Sequence, residues 1–379
     1  MSRTLIVGGG LAGFAAALSA TRRGADVTLV AAGPGATALY AGGMEICGGG
    51  LQTLGQWHPF SRLGADSMTL SGLLDEVCAE LAAQLERAGH RIVGDWRRPG
   101  SYADLHGQAR PAAYVPASAA GGELGALKGL RVGVVGIEAV SDYDSESTAQ
   151  ALRQLSGVDA SSIELSTGEL PPAAALTDLF GHQAPLPAAG HFDRLAYPPG
   201  LVGLPVNGFE LLSAIPSPHG WRLQEALTSA LADAGVRIQR ARITGFECAQ
   251  GTVRAALIGE TRIEADAFVL AGGRFIGGGL VKNRLVREPL LDLPVFSSGR
   301  RLEEVYWPRV RFEEYLGPEP AFACGLMTDD RLRPLDADGR PAFANLRAAG
   351  AILGGYDYGA GFGFGVPLLT GWQAGAWSA

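Results

Sequence analysis

Cysteine is scarce in this chain. There are four in 379 residues (Cys47, Cys78, Cys248 and Cys324), and no two of them stand as C-x-x-C. A thiolate zinc site or an iron–sulfur cluster usually needs such spacing, so neither is expected. Cysteine usage this low suits a reducing compartment, with the cytoplasm the simplest one. Long apolar runs are missing as well. No stretch approaches the roughly eighteen residues of a membrane span, and the first apolar stretch reads as a strand and helix, not as a signal peptide. Lying on a membrane through a partner stays open. Positive charge is in the minority, with 31 Lys and Arg against 38 Asp and Glu and a net charge of −7. That speaks against a nucleic-acid partner, since a phosphate backbone rewards a basic surface. No serine-hydrolase elbow, P-loop or zinc-deaminase pattern occurs.

Glycine is abundant, at 55 residues, while hydrophobic residues make up 47% and charged residues 18%. This is the composition of a globular protein, and its length is enough for two domains. Much of the glycine clusters at 8–13, 42–50, 272–279 and 350–365, which points to close backbone approaches and not to a linker. The most informative stretch is TLIVGGGLAGFAAA at 4–17. An apolar run leads into Gly8-x-Gly10-x-x-Gly13, and a small-residue run that suits a helix follows. Gly8 serves a tight turn, Gly10 lets a phosphate approach backbone amides, and Gly13 lets the helix lie close on the strand. An anion there sits on the positive end of the helix dipole. The expected cofactor contacts at this turn are Gly8, Gly10, Leu11, Ala12 and Gly13.

Further along, a helix over 11–23 ends at Gly24, and 26–30 reads as a second strand. Residues 73–88 are amphipathic and close at Gly89. Leu130 to Val135 opens another strand-to-helix segment that runs to about 213. A helix is expected over 221–234, with strands at 236–238, 242–247 and 253–257 and a buried strand from Phe268 into Gly273. The chain closes with a strand, a glycine cluster and a helix. The expected class is α/β. A Rossmann-like flavin-binding domain is built from 1–94 and 214–379, and a second α/β domain is inserted at 95–213.

Three segments line up in order: VGGGLAGFAAAL (7–18), FVLAGGRFIGGGLVKNRLVREPLLDLPVF (268–296) and NLRAAGAILGGYDYGAGFGFGVP (345–367). Together they resemble flavoproteins of the fumarate reductase and succinate dehydrogenase type. The pieces GGL-x6-REP (278–289), TDDxLRP (328–334), Leu353-Gly-Gly355 and His58-Pro59 are more particular. They resemble the B subunits of anaerobic glycerol-3-phosphate dehydrogenases. The resemblance covers nearly the whole chain, loosely across 95–215 and tightly after about 265. It implies a complex that oxidises sn-glycerol 3-phosphate to dihydroxyacetone phosphate and passes electrons to a quinone. It also implies an FAD-containing catalytic subunit and an iron–sulfur membrane-anchor subunit as partners, and a place on the cytoplasmic face of the inner membrane through them. The B subunit itself is implied to carry FMN.

The residues bear on the cofactor too. A dinucleotide fold usually places a carboxylate at the end of the second strand to hold a ribose, but here the strand ends in Val30-Ala31-Ala32. Either main chain holds the ribose of FAD, or no adenosine is bound and the cofactor is FMN. The expectation favours FMN, with FAD as the alternative. Where related FAD proteins place Gly-Asp late in the chain, this one has Gly350-Ala351. Further expected cofactor contacts are Gly42, Gly43, Ala271, Gly272, Gly273, Gly350, Ala351, Gly361 and Gly363, the last two near the dipole of the final helix.

Oxidising such a substrate needs a base, a hydride acceptor and cations for the phosphate. The catalytic candidates are His58, Arg274 and Arg287, with Lys282 as a further cation and His219 as a second histidine. Arginine offers a planar fork to an oxyanion. Asp329 and Asp330 read as turn residues. Oxidation by this chain, relay of electrons from the catalytic subunit, a stand-alone dehydrogenase of another small hydroxy acid and a flavin-free scaffold all remain open.

Overall fold

The computed structural model describes residues 1–379 apart from 49, 169, 172, 188–191, 214–216, 284, 298 and 303–319. Gly49 and Arg284, which the sequence patterns include, lie outside the described residues. In chain order the main elements are β1 (Arg3–Val7), α1 (Leu11–Arg22), β2 (Asp26–Ala31), α2 (Ser67–Arg87), β3 (Arg131–Ile137), α3 (Ser145–Ala151), β4 (Asp159–Leu165), β5 (Arg194–Tyr197), β6 (Gly208–Glu210), α4 (Pro218–Asp233), β7 (Arg237–Arg240), β8 (Gly245–Ala249), β9 (Thr252–Ile258), β10 (Thr261–Glu264), β11 (Ala267–Leu270), β12 (Leu346–Ala348) and α5 (Gly365–Ala376). The class is the expected α/β, with parallel sheets. Two compact units divide the chain. One holds Met1–Thr37, Ile46–Ala88 and Ala226–Ala379, and the other holds Ala38–Glu45 and Gly89–Glu225. The second unit thus takes in a short early stretch as well as a central block running from Gly89 to Glu225.

The first unit is built on a parallel sheet in the order β7-β2-β1-β11-β12. Its central strands are covered on both faces, which is why β1 and β11 are runs of apolar residues with no alternation. Leu5 and Ile6 are at most 1% exposed, and all of β11 is buried. Ile6 sits in register with Leu29 on one side and Val269 on the other. An antiparallel three-stranded sheet, β8-β9-β10, adds to this unit. The strand expected over 242–247 starts only at Gly245, and β10 carried no sequence signal, because its residues Thr-Arg-Ile-Glu are mostly exposed.

Helix α1 is buried continuously from Leu11 to Ala20. Its small side chains make sense because α5 lies directly on its backbone. A Cβ at Gly371 would fall 2.3 Å from the Ala12 carbonyl oxygen, and one at Gly375 would fall 2.2 Å from that of Ala16. Helix α2 begins before the amphipathic stretch. Asp66 caps it by accepting the Thr69 amide at 2.8 Å, so its first turn needs no apolar stripe.

The second unit has its own parallel sheet, in the order β6-β5-β3-β4. Asp144 caps α3 through the amides of Glu146 and Ser147. Val132, Val134, Ala160, Ala196 and Phe209 form part of its core.

Two glycine replacements separate packing from propensity. Gly72 is a helical residue with nothing among the described residues, beyond its own helix and chain neighbours, within 4 Å of its missing Cβ, so Gly72→Ala should stabilise by about 0.5–1 kcal/mol. Gly371→Ala drives a methyl group into backbone and should destabilise by about 2 kcal/mol or more. Denaturant midpoints at constant slope check both.

Candidate functional site

The opening glycine turn sits where β1 gives way to α1. Gly8 has φ +119, a conformation L side chains avoid, and a Cβ there would fall 2.2 Å from the Ala271 carbonyl oxygen. A Cβ at Gly13 would fall 1.9 Å from the Gly8 carbonyl oxygen. Helix and strand therefore meet backbone to backbone, and Ala271 is brought to the same place. Gly10 caps α1 in extended conformation, with no side-chain cap. In the first turn the Leu11 amide donates to Thr37 Oγ1 at 3.0 Å, and the Phe14 amide donates to the Gly10 carbonyl. No acceptor among the described residues meets the amides of Ala12 and Gly13, as expected at a helix start that keeps donors for a ligand. Thr37 accepts from Leu11, so its own O–H proton is available to the same ligand. The sequence reading missed Thr37, a lone hydroxyl in a run of Gly and Ala.

The loop after β2 folds over this turn. A Cβ at Gly35 would lie 3.4 Å from Gly10 Cα, and one at Gly9 would lie 2.9 Å from Ala31 Cβ. The place a ribose carboxylate would occupy is taken by alanine and main chain. A cavity on the first unit is lined by Arg3, Asp26 and Arg237, the first residues of β1, β2 and β7, and by Glu264 at the end of β10; it lies at the end of the parallel strands opposite the glycine turn.

The later glycine clusters interlock in this unit. Gly350 donates its amide to Thr370 Oγ1, and its missing Cβ faces Ala12 Cβ at 2.5 Å. The Gly48 amide donates to the Gly361 carbonyl at 2.9 Å. Gly272 and Gly273 lie against Gly279 and Gly277, whereas among the described residues Gly363 has only the Tyr358 carbonyl oxygen near its missing Cβ, at 3.6 Å. Gly42 and Gly43 belong to the second unit. There Leu212 and His219 fill the space beside Gly42, and Ala112 and Leu212 fill that beside Gly43.

Arg274 and His58 each lie beside the ring of Tyr356. Arg274 is 7% exposed. Its Nε donates to the Ala351 carbonyl at 3.0 Å, its Nη2 to those of Leu353 (2.9 Å) and Tyr356 (3.4 Å), and its guanidinium carbon lies 5.3 Å from the centre of the Tyr356 ring. Ala351, which stands where an aspartate was looked for, is thus a main-chain anchor for this arginine. Arg274 Nη1 has no partner among the described residues. His58 is 5% exposed and caps the short helix Pro59–Arg62, its Nδ1 accepting the Phe60 amide at 3.2 Å. The ring is enclosed by Phe60, Tyr356 and Phe362 at centroid distances of 5.0, 5.8 and 4.7 Å. His58 Nε2 has no partner among the described residues, and burial pushes the imidazole down to about 4. Tyr356 and Phe362 were not anticipated. Aromatic residues beside glycine pairs are the one signal that points to them.

The other candidates stand apart. Arg287 is exposed on a two-residue strand in register with Val281, and Lys282 is exposed too. The neighbouring Glu288 of the REP piece is buried, accepting the amides of Leu290 and Leu291 at 2.9 and 2.7 Å. Burial raises its carboxyl against those hydrogen bonds. In TDDxLRP, Asp329 pairs with Arg333 at 2.7 Å and accepts the Arg331 and Arg333 amides, which is a turn. His219 is in the second unit. Its Nε2 lies 3.1 Å from the Leu211 carbonyl oxygen, and its Nδ1 lies 3.9 Å from the Glu210 carboxylate. That carboxylate is itself held by Arg222 at 2.6 Å, the Gly200 amide and Ser118.

The chain matches the FAD binding domain family over residues 3–166 and 184–363. It is 30% identical to a Halobacterium salinarum protein named as the probable B subunit of an anaerobic glycerol-3-phosphate dehydrogenase, over all of this chain and 98% of that one. The chain belongs to the FAD binding domain family and to the family of anaerobic glycerol-3-phosphate dehydrogenase B subunits. The Yersinia pseudotuberculosis B subunit is 29% identical over 97% of this chain and 95% of its own length. Among solved structures, a 3-ketosteroid dehydrogenase from Rhodococcus jostii RHA1 is similar at 15% identity and TM-score 0.42, covering 99% of this chain and 96% of that one.

Membership corrects one expectation. The missing carboxylate after β2 pointed to FMN, but the family is an FAD-binding one. A ribose can be held by main chain, so the absent acid removes one contact without removing the adenosine. The free first-turn amides, the glycine approaches and the Thr37 hydroxyl fit the diphosphate of that cofactor. This is a member of an FAD-dependent oxidoreductase family, and no described helix is long and apolar enough to cross a membrane.

The His58 environment gives a pH prediction. Its folded value of about 4 lies below the ordinary 6.5, so between the two the unfolded chain binds a proton that the folded chain does not. Its contribution to stability is complete above about pH 6.5 and is lost as pH falls towards 4, by up to about 3 kcal/mol. Denaturation at pH 7 and pH 4.5 should show a smaller acid loss for His58→Leu than for the parent.

Proposed function

We propose that this chain is the FAD-binding B subunit of a glycerol-3-phosphate dehydrogenase complex. In this role it acts in the oxidation of sn-glycerol 3-phosphate to dihydroxyacetone phosphate, with the electrons going on to a quinone. The observation that carries the reading is the match at 30% identity along the whole chain to proteins named as that subunit. The relatives' name supports assembly with other subunits. An FAD-containing catalytic subunit and an iron–sulfur membrane-anchor subunit are the proposed partners, and they would hold the chain at the cytoplasmic face of the inner membrane.

Bound FAD supplies a two-electron acceptor. The chain's own part begins at the glycine turn. The Ala12 and Gly13 amides and the Thr37 hydroxyl are the donors offered to the diphosphate, at the positive end of α1. The Gly33–Gly35 main chain, folded on Gly10, is the natural holder of the ribose. Nearer the chemistry, Arg274 brings a buried positive charge and clamps the 351–356 turn, which suits a site that must accept an anionic substrate.

Purified full-length chain should be yellow, and acid should release FAD and no FMN. Thr37→Val should weaken FAD binding by about tenfold through loss of one hydrogen bond to a charged group. Under anaerobic conditions sn-glycerol 3-phosphate should bleach the flavin. Bleaching of the isolated chain assigns oxidation to it, and bleaching only with the catalytic subunit present assigns electron relay. A flavin left unbleached in both settings refutes the proposed substrate and leaves the stand-alone dehydrogenase, and a colourless protein leaves the scaffold.

A further inference from the structure

We infer that Arg274 Nη1 and His58 Nε2 form a pocket of hydrogen-bond donors beside Tyr356 that receives a negatively charged, acceptor-only group. In this pocket His58 is a fixed neutral donor and takes no proton. The inference deepens the proposed function and rests on its reading of the chain as an FAD-binding oxidoreductase.

The first support is charge. Arg274 is more than nine-tenths buried, and among the described residues it has carbonyl partners but no carboxylate. A cation withdrawn from water is stable when a negative group answers it. Three carbonyl dipoles do part of this, and they leave Nη1 with nothing to donate to. The second support is the tautomer of His58. Its Nδ1 accepts the Phe60 amide hydrogen, so that nitrogen must carry a lone pair. The neutral ring then has its only proton on Nε2. Nε2 is buried and has no partner among the described residues, and the ring is packed among Phe60, Tyr356 and Phe362, where removal from water disfavours a charged imidazolium. A ring in this state can give a hydrogen bond at Nε2 but cannot accept one there.

The third support is shared location. Tyr356 lies beside both residues, its ring edge-on to the His58 ring at 5.8 Å between centroids and 5.3 Å from the Arg274 guanidinium carbon, while its carbonyl accepts from Arg274. The pocket thus offers one positive charge, two unmet N–H groups and an apolar wall. Two groups share the required chemistry: the carbonyl edge of the bound isoalloxazine, which becomes more negative on reduction, and the phosphate of the substrate. In either case the substrate's hydroxyl proton leaves to a group other than His58.

The test uses the full chain labelled with 15N-histidine, observed by NMR at pH 7, with and without FAD. The parent protein should show the His58 proton on Nε2. Titrating inorganic phosphate into FAD-free protein should move that resonance if the pocket takes a phosphate. Reducing the FAD-loaded protein should move it if the pocket takes the flavin edge. In the arm that responds, Arg274→Gln should abolish the shift and weaken phosphate binding by about tenfold or move the flavin potential to a more negative value. Arg274→Lys should retain part of the response, which controls for folding. His58→Gln, which keeps a donor, should bind more nearly like the parent than His58→Leu. A His58 proton on Nδ1, a doubly protonated ring at pH 7, or a resonance unmoved in both arms overturns the inference. If no FAD is taken up, the proposed function falls, and the phosphate arm alone decides the pocket.

Discussion

The first unit depends on backbone meeting backbone without side chains between. Measured from the missing Cβ, Gly13 sits 1.9 Å from the carbonyl oxygen of Gly8, and Gly8 sits 2.2 Å from that of Ala271. These contacts bring the start of α1 onto the ends of β1 and β11 and leave the Ala12 and Gly13 amides without an acceptor among the described residues. Larger residues would push the helix off the strand, and the amides would turn to water. The same constraint explains α1 itself, whose Ala12 and Ala16 lie directly under Gly371 and Gly375 of α5.

A second layer is electrostatic. Arg274 ties the carbonyls of Ala351, Leu353 and Tyr356 to the segment that follows β11. Late glycine-rich chain is thereby held by a residue some eighty positions earlier. The fold commits a buried charge to this, which is unusual for a purely mechanical clasp, since an uncharged donor would hold carbonyls at lower desolvation cost. The clasp uses two of the three guanidinium nitrogens, and the third, Nη1, has no partner among the described residues.

Much of this was legible in the sequence, for identifiable reasons. The β1 turn and β11 announce themselves because fully buried parallel strands are uninterrupted apolar runs and the turn admits only glycine. The early start of α2 was not legible, because Asp66 and not an apolar stripe begins it. Strand β10 was silent because its residues are polar and its pairing is tertiary. Thr37 is a single hydroxyl whose importance comes from where the loop folds. His58 was found by residue type, but sequence cannot tell that its Nδ1 is occupied by the Phe60 amide. Arg287 was singled out by its motif, and the buried member of that motif is Glu288. The cofactor expectation failed because it treated one absent carboxylate as an absent adenosine.

The architecture also bears on how the molecule is made. Strand β12 and helix α5 complete the sheet and cover α1, and Thr4 Oγ1 donates to the carbonyl of Ser378 at 2.6 Å. An emerging chain therefore carries its opening strand and helix without these partners until β12 and α5 have been made. Non-local pairing of this kind closes slowly and leaves sticky surface exposed in the meantime. Closure of these long-range contacts, and not the speed of local helix formation, then limits how fast the first unit is completed.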